Sequence, residues 1–507
     1  MKGRKIVSTL LALLLLASLP VSALAAEWDI SKGDITVNAG SGGQTVTQGD
    51  GAAVEDSAPV ITGSSTENTV TINAEKDQTA SVTLSGANID VSGKGKAAVT
   101  TTGEGNVSIE LNGDNTLKSG KGHAGLEKKN GGKLTIADED KNGKLTAEGG
   151  KYGAGIGGGD QGAGSGITIT GGEIKATGGQ YGAGIGGGKG DGSDITISGG
   201  EVNATGGTSG AGIGGGYNGN GSDITITDGE VNATGGKYGA GIGGGEYGIG
   251  KDIIITGGEV NATGGRFSAG IGGGSRGTGS DITISGGEVN ASGGVNGAGI
   301  GGGLRSKGKD ITVSGDTKLK VQGGDEDHYD GAGAGIGDGG SNAYGTKILG
   351  AEVEPDTSDL LTTGWIEYYA PGADMEKDEP TSTTFGTSSQ PEKPIDSGAD
   401  APLYRVTDRD GRDITYTAEQ KGSVLTVTVD GDLAILTGRL SGIRTLKAQG
   451  VEKIVFVTKG AASAFLLSDL LGKGESGEAY RLTHDGKSVT FTLGKKMTDV
   501  SAILTKP

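Results

Sequence analysis

The stretch GAGIGGGKGDGSDITISGGEVNATGG (residues 182–207) decides the fold, because it recurs along the chain with small changes. Its opening heptapeptide GAGIGGG starts at positions 153, 182, 210, 239 and 297, and the variant SAGIGGG starts at 268. The period is therefore about 29 residues. Recurrence at a fixed period of roughly 20 to 50 residues is typical of repeat proteins, in which each unit packs only on its neighbours.

Three short segments of each unit alternate apolar and polar residues, which is the pattern of a half-buried strand. In residues 182–207 these segments are AGI, DITIS and EVNAT. The side chains predicted to point inward are those of Ala183, Ile185, Ile195, Ile197, Val202 and Ala204. Those of Thr196, Asn203 and Thr205 are predicted to point outward. Glycine-rich turns separate the strands, so one unit is predicted to form one coil.

Coils stacked about 4.8 Å apart would pair each strand with those above and below it and bury continuous Ile, Val and Ala ladders. Degenerate copies at Val99 and Leu126 and a late copy at Ile336 bring the total to about nine coils. The sequence thus predicts an all-β fold, a parallel β-helix, and we expect right-handed winding. Leucine-rich and ankyrin repeats are excluded because their helical segments are missing.

The segments outside the repeats differ from them in composition. Residues 1–25 begin with basic residues, continue in an apolar run and end in small residues of the kind found at cleavage sites, as in a secretory signal peptide. The predicted division is a signal peptide at 1–25, an amino-terminal leader or cap at 26–68, the β-helix at 69–350, a carboxy-terminal cap at 351–370, a linker at 371–400 and a small α+β domain at 401–507. In that domain SVLTVTV, KIVFVT and KSVTFTL are predicted as strands, and RLSGIRTLKAQG and ASAFLLSDLL as helices.

Composition limits the compartment and the partners. The chain of 507 residues has no cysteine, which excludes disulfides and thiolate metal sites. Removal of residues 1–25 takes away three of 44 Lys and Arg and none of 62 Asp and Glu, so the net charge falls from -18 to about -21. This charge argues against nucleic acid as a partner. We expect a secreted or extracellular protein, and attachment to the cell surface is compatible with this prediction. No membrane insertion is expected after removal of the signal peptide.

An aspartate recurs at the entrance of the second strand in five successive coils. Stacking would place these carboxylates in a file with neighbours about 4.8 Å apart, where like charges repel. Calcium would relieve the repulsion, and the turn GKGDGSD resembles calcium-binding glycine and aspartate turns. The alternative is that each Asp side chain caps nearby backbone N–H groups. The candidate metal ligands are Asp191, Asp194, Asp223, Asp252, Asp281 and Asp310.

Aromatic residues recur four positions before the first-strand isoleucine, at Tyr152, Tyr181, Tyr238 and Phe267. If that corner is exposed, sugar rings could stack on them, and outward residues such as Asn203 and Asn232 could bind hydroxyl groups. The alternative is that the rings cover a glycine-rich corner. Stacked Asn residues also hydrogen-bond along a rod without implying any ligand.

The residues NVSIELNGDNTLKSGKGHAGL (106–126) and KLTIADEDKNGKLTAEGGKYGAGIGGG (133–159) resemble carbohydrate-binding-domain β-helix surface proteins of Gram-positive anaerobes. The resemblance spans roughly residues 69 to 340. It implies a secreted or surface-displayed β-helix similar in shape to pectate lyases, with polysaccharide binding and calcium in some relatives. No binding residue can be carried over by motif.

Three functions remain open at this point. The first is a non-catalytic carbohydrate-binding or adhesive protein that presents side-chain ladders to polysaccharide or cell-wall glycan. The second is a polysaccharide lyase or glycosidase, which needs a localised base or a pair of carboxylates. The third is a structural rod that spaces the carboxy-terminal domain from the cell surface. The sequence favours the first, because it shows no unique acid-base group.

Overall fold

A computed structural model describes residues 26–343, 346–386, 404–407, 414–431, 433–473, 479–485, 489–493, 498–499 and 501–505. The predicted signal peptide at 1–25 lies outside these residues. Two bodies of structure follow each other along the chain: a parallel β-helix and a smaller α+β domain with its own apolar core.

The first strand of each coil joins a column of parallel strands, with Ile185 paired to Ile156 and to Ile213. Two further strands, Gly43–Gln48 and Val54–Glu55, extend this sheet antiparallel. The parallel members are Ile35–Gly40, Val70–Ala74, Val99–Gly103, Leu126–Lys128, Ile156–Gly157, Ile185–Gly186, Ile213–Gly214, Ile242–Gly243, Ile271–Gly272, Ile300–Gly301 and Ile336–Gly337.

The second strands form another parallel column, in register from coil to coil. Its members are Glu27–Asp29, Val60–Thr62, Thr79–Ser85, Asn106–Asn112, Leu134–Ala137, Gly164–Ile169, Gly192–Thr205, Gly221–Thr234, Gly250–Ile255, Gly279–Ile284 and Gly308–Val313. Gly192–Thr205 and Gly221–Thr234 continue through the bend and also supply the third strand of their coils.

The other members of the third column are Ser64–Ser65, Asn88–Asp90, Asp114–Lys118, Lys144–Glu148, Glu173–Thr177, Glu259–Thr263, Glu288–Ser292, Lys318–Gln322 and Trp365–Tyr369. Ser382–Phe385 pairs antiparallel with Trp365–Tyr369, so the cap reaches into the stretch predicted as a linker. A hairpin of Ser341–Ala343 and Thr346–Ile348 and a 3-10 turn at Ile30–Lys32 complete this part.

The predicted all-β class and the parallel β-helix are confirmed. Among the described residues the rod is longer than the nine coils expected, because residues assigned to a leader or a cap supply regular strands at both ends. All six side chains predicted to point inward are at most 1% exposed. Burial of each Ile contributes roughly 1.5 to 3 kcal/mol to folding.

The high glycine content follows from how closely the coils approach each other. Gly186 ends a first strand with φ of +128°, and the same position has φ of +133° at Gly157 and +129° at Gly214. A methyl group added at Gly186 would overlap the carbonyl oxygen of Gly214 in the next coil. Only glycine fits both the backbone conformation and the space.

In its described residues, the carboxy-terminal domain has two sheets and two helices. One sheet has the strands Arg405–Thr407, Leu433–Arg439, Ala479–Asp485, Val489–Leu493 and Thr498–Asp499. The other has Thr417–Lys421, Val424–Thr428, Lys453–Val457 and Ala462–Leu466. The helices are Leu440–Ala448 and Leu467–Leu471, and Ser501–Ile503 is a 3-10 turn.

The prediction of one helix through ASAFLLSDLL was wrong in its first half. Ala462–Leu466 is a strand paired antiparallel with Lys453–Val457, and only Leu467–Leu471 is helical. Phe465 is fully buried in the core of the domain, and this tertiary contact outweighs the helix propensity of Ala and Leu.

Candidate functional site: an aromatic corner and a carboxylate column

The four predicted aromatic residues lie at one corner, where the chain leaves the third strand and enters the first. Tyr152 and Tyr181 stack with centroids 5.4 Å apart and 13° between planes, and Tyr238 and Phe267 do so at 5.9 Å and 12°. Ser209 and Asn296 hold the equivalent place in other coils and are buried. The rings therefore cover part of each other's faces, which are the faces that a sugar would use.

Two tyrosines that the sequence argument missed extend this corner. The N–H of Tyr217, in the turn after the first strand, donates to the carbonyl oxygen of Tyr181 at 2.8 Å. Its ring meets Tyr181 edge to face at 5.5 Å and Tyr247 at 6.3 Å. Tyr247 is 47% exposed, so its ring is the most accessible of the group. Because the two turns are separated by about 35 residues, only the folded coil brings them together.

Cationic side chains surround the rings. Tyr152 has three lysine Nζ atoms within 6 Å of its centroid, those of Lys121, Lys151 and Lys189. The other contacts are Lys237 with Tyr238 at 4.9 Å, Arg266 with Phe267 at 4.9 Å and Arg276 with Tyr247 at 5.9 Å. Each contributes about 0.5 to 1 kcal/mol when exposed. This corner therefore carries positive charge on a chain whose net charge is -18. We call these six aromatic residues and their cations the aromatic corner.

The asparagine residues form the expected amide ladder. Asn232 Nδ2 donates to Asn203 Oδ1 at 3.2 Å, Asn261 to Asn232 at 3.0 Å and Asn290 to Asn261 at 2.8 Å. Asn203 and Asn232 also donate to the carboxylates of their own strands. Their amides are thus engaged along the rod, which supports a structural role.

The file of Asp residues is explained by backbone conformation. Asp194, Asp223, Asp252, Asp281 and Asp310 have φ between +51° and +54°. In the coil before Asp194, the same position holds Gly166 with φ of +67°. Asp and Gly are among the residues that tolerate this left-handed region. A conformational demand at the strand entrance therefore accounts for the recurrence of Asp, and calcium binding at these positions stays a prediction.

Two of these carboxylates have basic partners. Asp252 lies 3.1 Å from Lys251 and 3.3 Å from Arg444, and Asp310 lies 3.4 Å from Lys309. Burial raises the pKa of Asp281, and the neighbouring Asp252 and Asp310 raise it further.

Asp191, the remaining candidate ligand, accepts a hydrogen bond from the N–H of Asn220 at 2.7 Å. Within the described part of the chain, no three His, Asp or Glu residues come close enough to hold a metal ion.

One polar group near the aromatic corner does not repeat. Glu127 is 1% exposed, and its carboxylate contacts His123 Nδ1 at 2.6 Å and Lys129 Nζ at 2.5 Å. Beside it, burial lowers the pKa of Lys128, whose ammonium donates to Asn130 O at 2.8 Å. The His123 side chain is 27% exposed. His484, in the carboxy-terminal domain, is fully buried.

The acidic insertion around His328 forms internal contacts. Arg305 binds Asp330 with two hydrogen bonds of 2.9 and 3.0 Å, and Lys347 pairs with Glu326 at 2.9 Å. Asp327 accepts from two backbone N–H groups of its own turn. Three acidic side chains of this loop, those of Glu326, Asp327 and Asp330, therefore have partners among the described residues.

Comparison with known families agrees with this architecture. Six stretches match the family described as beta helix repeat, at residues 141–160, 167–189, 195–217, 224–246, 253–275 and 282–304. The chain is a parallel β-helix protein. Each matched stretch contains a third strand and the first strand of the next coil with its glycine turn, and five of the six begin within a second strand. No curated protein and no solved structure matches the chain.

The β-helix repeat is compatible with a surface protein or with one that contacts carbohydrate. Within the part of the chain that the structure describes, neither helix approaches the length and apolar character needed to traverse a bilayer.

Proposed function

We propose that this β-helix protein is a non-catalytic glycan-binding protein of the cell surface or the extracellular medium. The observation that carries the proposal is the continuous row of rings formed by Tyr152, Tyr181, Tyr217 and Tyr247, with centroid distances of 5.4, 5.5 and 6.3 Å. Such a row, fixed on a rigid stack of coils, suits an extended polymer better than a small molecule.

The geometry favours one end of this row as the sugar contact. The stacked faces of Tyr152 and Tyr181 are partly covered, whereas Tyr247 exposes 47% of its surface. A sugar ring could therefore pack on Tyr247, while the guanidinium of Arg276, 5.9 Å from that ring, donates hydrogen bonds to hydroxyl groups. This changes the sequence hypothesis, which placed the sugar on Tyr152, Tyr181, Tyr238 and Phe267.

Polysaccharide pull-down tests this proposal. We expect Tyr217→Ala with Tyr247→Ala to reduce retention at least tenfold, and Tyr152→Ala with Tyr181→Ala to reduce it less. Tyr329→Ala is the matched control, because Tyr329 is 67% exposed at the far end of the rod. Unchanged retention of the first double variant, with an unaltered circular dichroism spectrum, would contradict the proposal.

A second candidate function, a polysaccharide lyase or glycosidase, is favoured by the group of His123, Glu127 and Lys129. A buried carboxylate that orients an imidazole is a common arrangement for a general base. Release of reducing sugar or unsaturated product, abolished in His123→Gln, would establish this second function. No product from the glycans that the protein retains would favour the binding function.

Export is part of the proposal. Residues 1–25 carry the sequence pattern of a signal peptide. Mass spectrometry of the protein in culture supernatant or on the cell surface should find a mature amino terminus near Ala26. Retention of the full chain in the cytoplasm would contradict export.

A further inference from the structure

Because the coils repeat, each outward-pointing residue can be compared with the equivalent residues of the other coils. In the middle of the second strand, one coil has an apolar residue, Ile254, where the neighbouring coils have threonine and two early coils have serine. The threonines at this position are Thr135, Thr168, Thr196, Thr225, Thr283 and Thr312, and the serines are Ser81 and Ser108. A single isoleucine in a column of outward threonines indicates that its surface is covered.

The low solvent exposure of these residues shows that another part of the protein covers the outer face of the second strands around Ile254. Ile254 is 4% exposed and Thr225 is 7% exposed, whereas Thr196, Thr283 and Thr312 remain partly exposed. Exposure also changes along the Asp column, because Asp252 is 5% exposed although Asp223 and Asp310 are exposed. Equivalent residues in equivalent strands differ here, so the cause lies outside the coils.

The cover includes the first helix of the carboxy-terminal domain, Leu440–Ala448. Arg444 Nη2 lies 3.3 Å from Asp252 Oδ1, and the Arg444 side chain is 17% exposed. Its Nη1 is buried and has no hydrogen-bond partner among the described residues. An arginine removed from water and paired with one carboxylate is an interface contact of the kind that anchors protein surfaces.

The chain can reach this position. The last paired strand of the cap, Ser382–Phe385, lies four strands beyond the one that begins at Glu259, or roughly 19 Å at about 4.8 Å per strand. Residues 387–403 provide 17 residues between the cap and the domain, which span at most about 56 Å at roughly 3.3 Å per residue. The domain of the same chain can therefore fold back beside the rod.

We propose that the outer face around Thr225, Asp252 and Ile254 is a docking site for the carboxy-terminal domain of the same chain. Arg444 on Asp252 fixes the position, and burial of Ile254 holds the domain there. The docked domain shields the middle of the carboxylate column from cationic partners. This inference does not depend on glycan binding.

Chemical cross-linking of the full-length protein tests the docking. Lys251 adjoins Asp252, and Lys447 lies one helical turn after Arg444, so a short amine-reactive reagent should join these two native lysines. We expect Ile254→Thr combined with Arg444→Gln to lower the yield of this cross-link at least fivefold and to increase the radius of gyration in X-ray scattering. Ile254→Thr restores the residue that neighbouring coils carry, so folding of the rod is preserved.

Two controls make the outcome decisive. Arg276→Gln removes a cation from another part of the rod and should leave the cross-link unchanged. A mixture of isotope-labelled and unlabelled protein separates links within one chain from links between two copies. Absence of the link in the parent protein, an equal yield in the double variant, or links only between copies would each overturn the proposal.

Discussion

The β-helix and the carboxy-terminal domain are both rich in strands, but they build their cores differently. The core of the rod consists of Ile, Val, Leu and Ala ladders, in which each residue packs on its own copy in the next coil. The core of the domain is built from unlike residues, including Phe456, Phe465, Phe491 and Tyr480, brought from distant parts of the chain. The rod therefore depends on close approach of backbones, and the domain depends on the fit of large side chains.

The largest effect is expected where the rod has no room for a side chain. Gly214→Ala combines φ of +129° with overlap on the carbonyl oxygen of Gly243, and we expect a loss of about 3 kcal/mol or more of rod stability. The matched change in the domain is Gly422→Ala, which has φ of +58° but open space around it. That change should cost only about 1 to 2 kcal/mol. Thermal unfolding followed by calorimetry measures both, and equal losses would contradict the stated role of backbone contact.

The second prediction separates the two regions by pH. Burial lowers the pKa of His484 in the domain, where its ring nitrogens contact the hydroxyl groups of Thr458 and Ser463. The folded domain therefore favours the neutral imidazole, and the unfolded chain takes up a proton at about pH 6.5. Stability is fully present above that pH and declines as the pH falls toward the folded pKa, by up to about 1.4 kcal/mol per pH unit.

The unfolding temperature of the domain between pH 7.5 and 5 checks this prediction. His484→Gln should flatten its pH dependence, while the transition of the rod changes less in both proteins. If the unfolding temperature of the domain in the parent protein does not change with pH, His484 does not make its stability depend on pH.

A smaller effect is expected from the amide ladder of the rod. Asn232→Thr breaks the two ladder hydrogen bonds, to Asn203 and from Asn261, and the one to Glu230, and should cost about 1 to 2 kcal/mol. Lys175→Thr, in the same column but below the ladder, is the control and should change stability by less than about 0.5 kcal/mol. Denaturant titration measures the free energy of unfolding of both variants. Equal losses would show that the amide ladder does not stabilise the rod.

The smallest effect is expected from calcium, which remains a proposal for the Asp column. Because the left-handed backbone already explains Asp at these positions, we expect removal of calcium by a chelator to leave the unfolding temperature of the rod unchanged. A shift of several degrees, with uptake of the ion in titration calorimetry, would instead establish a metal role for residues such as Asp223 and Asp281.

Periodicity was sufficient to predict the coils and their inward residues, because each strand is constrained by copies of itself. It could not predict that Tyr217 and Tyr247 join Tyr181, since two different turns meet only after the coil closes. In the carboxy-terminal domain no repeat helps to decide between helix and strand. The segment from Ala462 to Leu466 fits either one until its partner strand is known. The contact of His123 with Glu127 is likewise a product of the fold.

The side-chain ladders, the aromatic row and the Asp column all require coils that lie in register, and a disulfide between neighbouring coils tests this register most directly. The chain has no cysteine, and Thr283 and Thr312 are paired in adjacent second strands, at a spacing of about 4.8 Å that suits a disulfide. We predict that Thr283→Cys with Thr312→Cys oxidises nearly completely under mild conditions. Thr283→Cys with Lys309→Cys, shifted by three residues, should remain reduced. Failure of the first pair, or equal oxidation of both, would contradict the stacked register.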